Sequence, residues 1–342
     1  MTLPDINEVR QHNNFDFLRF ISALFVIVSH SYILTNRDNE ELLMLISRNT
    51  YHFSSLGLIC FFVISGYLVS QSLFRSASVL NYGWKRFLRI VPALCGVILF
   101  SAFVIGPLFT ENSIGDYFLS PKTYTYLRNI VFILPLQWEL PGVFAGNLEK
   151  SVNGSLWTLT LEGRLYILLA LLYIFLFFRK KIILPVIFLL LVILTPWFSV
   201  FFGQVYPITF YLILYFFAGV IATLYKEKIR YTKWLLLAAL SIIVLRCFTE
   251  MVNPLTFIAF PYLILYLARV PSRLNHFARY GDFSYGMFLY SFPIQQCIVR
   301  LTNGTLPMGI MIFLSILLTL PFAILSWKWI ESKALKLKHM VK

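Results

Sequence analysis

Four ionisable residues fall inside apolar stretches of this chain: Arg19, His30, Glu162 and Arg164. Placing a charge at bilayer depth costs about 2.5–3.5 kcal/mol on insertion scales, so such side chains are functional candidates by default. Arg19 and His30 lie eleven positions apart in the apolar stretch Phe15–Leu34, which also carries Asp16 at its start. At about 100° per residue that is within roughly 20° of three full turns, so both share one stripe, roughly 16 Å apart along the axis. Of the five histidines, His12, His276 and His339 fall in polar segments and His52 at the edge of an apolar stretch; only His30 is well inside one. A cation and an imidazole on one line predict a helix that lines a passage, with His30 as general base.

Glu162 is the acidic residue lying clearly within an apolar stretch; Glu331 stands at a boundary. Counted from the outer ends of their helices, His30 and Glu162 are expected at depths within about 3 Å of each other at 1.5 Å per residue. A carboxylate there can fix the tautomer of His30 and raise its basicity. The same residues also permit His30 to bond a neighbouring helix and Glu162 to pair with Arg164 or a loop. Arg86 and Arg89, spaced i, i+3 with Lys85 beside them, share a helix face. Paired guanidiniums suit a nucleotide phosphate, and equally anionic lipid headgroups.

These residues need a scaffold, and the composition says which kind. The chain has 342 residues, 59% hydrophobic and 13% charged, with a mean hydropathy of +0.76. Apolar runs of about twenty residues recur throughout, the pattern of an all-α polytopic integral membrane protein. About ten transmembrane helices are expected, near 15–34, 53–74, 91–109, 155–178, 182–202, 205–225, 232–249, 254–270, 284–302 and 307–330. Most of the 29 Lys and Arg then fall in alternate loops, which by the positive-inside rule puts both termini in the cytoplasm. The same placement turns the net charge of +14 into a topology signal and excludes nucleic acid as a partner. A single transmembrane domain over 1–342 is expected, with a cytoplasmic N-terminus (1–14), a long extracytoplasmic connection (110–154) and a basic cytoplasmic tail (331–342). No cleavable signal peptide is expected, because Met1–Asn14 is polar and the first apolar run is too long for an h-region. Ser76–Ile90 has aromatic and basic residues at helical spacing and is expected along the cytoplasmic interface. Tyr126–Trp138, too short to cross, is expected as a re-entrant or interfacial cap. The four cysteines (Cys60, Cys95, Cys247, Cys297) lack metal-ligand spacing and are read as packing residues, with no metal site.

Six segments, in order, resemble the membrane-bound acyltransferase type 3 family. They are FDFLRFISALFVIVSHS with Arg19 and His30; GLICFFVISGYLVSQSLF with FFVISG at Phe61–Gly66; KRFLRIVPAL with Arg86 and Arg89; VNGSLWTLTLEGRLY with Asn153, Gly154, Ser155, Trp157, Glu162 and Tyr166; GDFSYGMFLYSFPIQQ; and WKWIESKALKLK around Glu331. The resemblance implies O-acylation of a surface glycan. Many relatives have histidine where this chain has Ser291, so any role of that second histidine does not carry over. The chain is also expected to lack the C-terminal esterase-like domain of some relatives.

The combined expectation is a membrane O-acyltransferase of the bacterial cytoplasmic (inner) membrane, moving an acetyl group from acyl-CoA to a hydroxyl of a surface or lipid-linked carbohydrate. His30 and Glu162 are the expected catalytic residues; Arg19, Arg86 and Arg89 the acetyl-CoA phosphate ligands. Asp16, Ser65, Asn153, Ser155, Trp157, Arg164 and Tyr166 are expected in structural or acceptor-side roles. No permanently bound cofactor is expected; the partners are the donor, an O-antigen, capsule or exopolysaccharide acceptor, membrane lipids and polysaccharide-assembly proteins. The alternatives are a transporter or flippase-like carrier using His30 and Glu162 as a proton relay, and a scaffold whose polar residues serve packing.

Overall fold

The apolar runs fold as helices in a computed structural model that describes residues 13–175, 181–202 and 207–341. Ten helices of 13 residues or more occur among them: α1 (Phe15–Leu34), α2 (Phe53–Arg75), α3 (Val79–Phe100), α4 (Leu156–Ile174), α5 (Ile183–Phe202), α6 (Pro207–Leu224), α7 (Lys233–Leu245), α8 (Asn253–Arg269), α9 (Ser284–Thr302) and α10 (Met308–Ser326). Among the described residues there is no strand, only an isolated antiparallel bridge between Thr110 and Val143. Six helical segments are long and apolar enough to cross a bilayer: 15–34, 53–75, 79–109, 156–174, 250–269 and 308–336. The other expected spans correspond to the shorter apolar helices at 183–195, 208–224 and 233–245 and to the more polar α9. The protein is an integral membrane protein. Met1–His12, with Arg10, and the cations Arg179 and Lys180 lie outside the described residues.

From Val79 on, the expected interfacial segment Ser76–Ile90 is the first part of α3. Ser78 accepts from the Asn81 N–H as an N-cap, and the helix runs unbroken from Val79 to Phe100. No glycine–proline break separates Trp84 from Ile90, so the amphipathic turn simply continues into the apolar one. Beyond Phe100 the helix widens into a π turn at Ser101–Ile105, just before Pro107, which has no N–H to donate, and then closes with an α-helical turn at Gly106–Phe109.

The chain divides into two compact units. The first comprises 1–22, 43–76 and 165–280. Here α2 and α6 cross closely because two glycines meet: a Cβ on Gly66 would collide with Phe216 O, and one on Gly219 with Val63 O. Small residues at such crossings let helix backbones approach, the usual device where lipid removes the hydrophobic drive between helices. Thr223 Oγ1 then donates to Tyr67 O across the seam at 2.8 Å. Asn14, through Nδ2, holds the end of α8 at Leu267 O and Val270 O, both at 2.9 Å.

The second unit comprises 23–42, 77–164 and 281–342. Its core is α3, α9 and α10, with Ala93, Leu94, Val97, Met287, Leu289 and Ala323 at 1% exposure or less. A second π turn, Trp327–Glu331, follows α10 and brings Glu331 into the interior at 2% exposure. The 110–154 connection is fastened to α9 by amides. Gln296 Nε2 donates to Glu149 O and Ser151 O, and Asn147 Nδ2 donates to Gln296 Oε1. Asn153 Nδ2 then donates to Leu289 O at 2.9 Å. The expected cap at 126–138 is a 3-10 turn (Tyr126–Ile130) and a loop closed by Asn129, which bonds Gln137 through both N–H and C=O.

Candidate active site

Two polar clusters stand in the second unit, one around His30 and one around Arg86 and Arg89. His30 lies on the α1 portion beginning at Ala23, where Val26 and Ile27 are buried. Its ring meets Phe292 of α9 edge-on, with centroids 5.1 Å apart. The Phe292 ring also covers Gly154, where a Cβ would lie 2.6 Å from the ring carbons. That contact brings the start of α4 to the imidazole. Ser155 is 2% exposed and its Oγ has no hydrogen-bond partner; neither has His30 Nδ1. Gln295, fully buried on the next turn of α9, donates through Nε2 to Ile27 O and Ser31 Oγ, each at 2.8 Å. Those two residues bracket His30 on α1. Buried polar atoms are almost always paired in native proteins, so a cluster of unpaired ones around an imidazole marks a place where a substrate supplies the partners.

The carboxylate that acts electrostatically on His30 is Glu41, wholly buried in the turn after α1, where Glu162 was expected. The difference follows from the path of the 110–154 connection. Between Asn147 and Asn153 it runs beside α9 from Gln296 to Leu289, seven residues or about 10 Å of helix. The fourth apolar helix therefore begins level with Phe292, partway along α9, and not at its end. Glu162 lies two turns further along α4, half-buried, within electrostatic reach of Tyr82, as is Arg86. Arg164 is exposed and its Nε donates to Ile133 O at 3.2 Å.

Arg89, on the same face of α3 as Arg86, stands among carboxylates. Arg89 Nη2 donates to Asp282 Oδ2 at 2.5 Å, and Nη1 stands 3.9 Å from Glu331 Oε2. Asp282 also accepts from the Ser284 backbone N–H, and Ser326 Oγ donates to Glu331 Oε1 at 2.9 Å. Arg89 thus sits between two largely buried carboxylates. Buried ion pairs of this kind hold position more than they add stability.

In the first unit, Ser65 Oγ and Tyr166 OH share a buried hydrogen bond of 2.8 Å. Arg19, half-buried with Asp16 on the first turns of α1, lies near Cys60, as does Ser22. Trp157 is half-buried on the first turn of α4. Ser291 is fully buried, and its Oγ makes a long 3.4 Å bond to Phe288 O within α9. Among the described residues no group of three or more His, Cys, Asp or Glu could hold a metal. Sequence reasoning missed Gln295, Glu41 and the Asp282–Arg89–Glu331 cluster. A glutamine inside an apolar helix was a usable signal for the first; Glu41 offered none, lying in the polar run Asp38–Glu41.

The second unit thus holds an imidazole on α1 whose Nδ1 is buried, a buried serine just before α4 and basic residues on α3. The chain matches the acyltransferase domain model over residues 12–328 and belongs to the membrane-bound acyltransferase type 3 family; it is an acyltransferase. It is 28% identical to a protein of Shigella phage Sf6 described as an O-acetyl transferase, over 96% of this chain and 97% of that one. It is 32% identical to nodulation protein 10 of Rhizobium leguminosarum bv. viciae, over 47% of this chain and 44% of that one. No solved structure matches the chain.

Proposed function

We propose that the protein is an O-acetyltransferase of the bacterial inner membrane, transferring acetyl from acetyl-CoA to a hydroxyl of a surface or lipid-linked glycan. The observation that carries the reading is His30, whose Nδ1 is buried and unpartnered and whose ring packs edge-on against Phe292 of α9. The full-length similarity to a phage O-acetyl transferase supports acetyl as the group moved. In this reading His30 takes the proton of the sugar hydroxyl as the oxygen attacks the thioester carbonyl. The Ser155 hydroxyl donates to the developing oxyanion. Coenzyme A then leaves as the thiolate and takes the proton back from the imidazolium, whose charge Glu41 stabilises. Arg86 binds the donor phosphates. Glu162 holds the cationic end of the site through its field around Tyr82 and Arg86, and Arg89 keeps α3 in place through Asp282. Trp157 and Asn153, on either side of Ser155, shape the wall beside it.

The deciding experiment replaces His30 with alanine in cells. Surface-glycan acetylation, read by mass spectrometry, falls at least about 100-fold, with protein level and membrane insertion unchanged. Acetylation persisting near the parental level removes His30 from the chemistry.

A further inference from the structure

Two adjacent glutamines on α9 have the same burial and opposite bonding. Gln296 uses all of its carboxamide: Nε2 donates to Glu149 O and Ser151 O, and Oε1 accepts from Asn147 Nδ2. That is a structural amide. Gln295, equally buried at 0% exposure, uses only one side of its own. Its Nε2 donates to Ile27 O and Ser31 Oγ, while Oε1 is buried with no partner. The amide cannot be turned to cure this, because a carbonyl oxygen facing Ile27 O would set two acceptors against each other. Ser31 Oγ donates to Ile27 O, so it accepts from Gln295 and locks the orientation further. The result is a carbonyl acceptor fixed between α1 and α9, on the helix turns that hold His30 and Phe292.

An unpaired buried amide oxygen calls for a hydrogen-bond donor. At the reacting end of an acetyl thioester there is no N–H or O–H; a sugar is covered in them. The hydroxyl that attacks spends its proton on His30 and cannot also donate to Gln295. We propose that Gln295 is a positioning residue for the acceptor: its Oε1 accepts a hydrogen bond from a second hydroxyl, neighbouring the one that reacts. The acceptor class is then a sugar presenting adjacent hydroxyls, and an isolated alcohol is a poor substrate. This rests on the glycan-acetyltransferase reading above.

The test uses the full chain in nanodiscs, acetyl-CoA as donor, and unmodified glycan in membranes of a host strain lacking the gene as acceptor. Gln295→Leu, of similar volume, is expected to raise the apparent KM for the glycan about tenfold or more, with KM for acetyl-CoA within twofold of wild type. Ser31→Ala, which removes one of the two acceptors that hold Nε2 and so loosens the amide, raises the glycan KM by a smaller factor with the same donor KM. Size-exclusion profiles report folding, and if Gln295→Leu aggregates, the Ser31→Ala result decides alone. Donor and glycan KM rising together, or an unchanged glycan KM, overturns the proposal. Wild-type protein that transfers no acetyl group to the glycan overturns the functional reading itself, a result distinguishable from either.

Discussion

Arg86 and Arg89 look interchangeable in sequence, and the carboxylates around Arg89 set its role. Arg89 is held by Asp282 at 2.5 Å with Glu331 close behind, so Arg89→Ala strands two buried carboxylates. Removing one partner of a buried pair costs about 3–5 kcal/mol, enough to lower the amount of folded protein in the membrane. Arg86→Ala is expected instead to leave protein level intact and raise KM for acetyl-CoA about tenfold, the loss of roughly one charge-assisted contact. Quantified protein in membranes and donor kinetics on the two single variants separate the roles. An Arg89→Ala protein with full expression and a raised donor KM would return Arg89 to phosphate binding. At this scale the sequence revealed which residue types sit in apolar stretches but not their partners, since an arginine three positions along the same helix carries no mark of the carboxylates that will meet it.

Among the elements, the start of α4 is the one on which the site depends. The preceding connection follows α9 inward, and Asn153 fixes the end of that path on Leu289 O. Asn153→Ala removes a buried hydrogen bond and leaves the Leu289 carbonyl unpaired, a cost of about 1–3 kcal/mol. The expected outcome is a modest loss of thermal stability and a loss of kcat larger than that stability change alone would cause, because Ser155 and Gly154 follow directly. Melting in detergent with acetyl-transfer kinetics checks both; a kcat unchanged while stability falls would detach this segment from the reaction. Apolar periodicity located α4 well but not its depth: hydropathy reports that a segment prefers lipid, not where along its neighbours it begins. The amides that set the depth lie in the polar connection, where a hydropathy reading sees only a loop.

For the whole molecule, the loop charges predict a topology. A reporter active only outside the cytoplasm, fused within 110–154, is expected to be active, and one fused within 226–230 inactive. The reverse pattern would invert the protein and place His30 at the opposite face. The sequence by itself determined the class of molecule: 59% hydrophobic residues in runs of about twenty permit membrane helices and little else, since backbone polar groups in lipid must bond within their own segment. It also singled out His30, because an imidazole in such a run is costly enough to be rare. Only the tertiary structure decided what surrounds that imidazole. Phe292 and Gln295 come to it from a helix more than 260 positions away in the chain, Ser155 from a connection folded back along that helix, and Glu41 from a polar turn. Hydropathy is a local property of a segment; the fit of an amide or a ring against a neighbouring helix is a property of packing, and packing exists only once the helices have met.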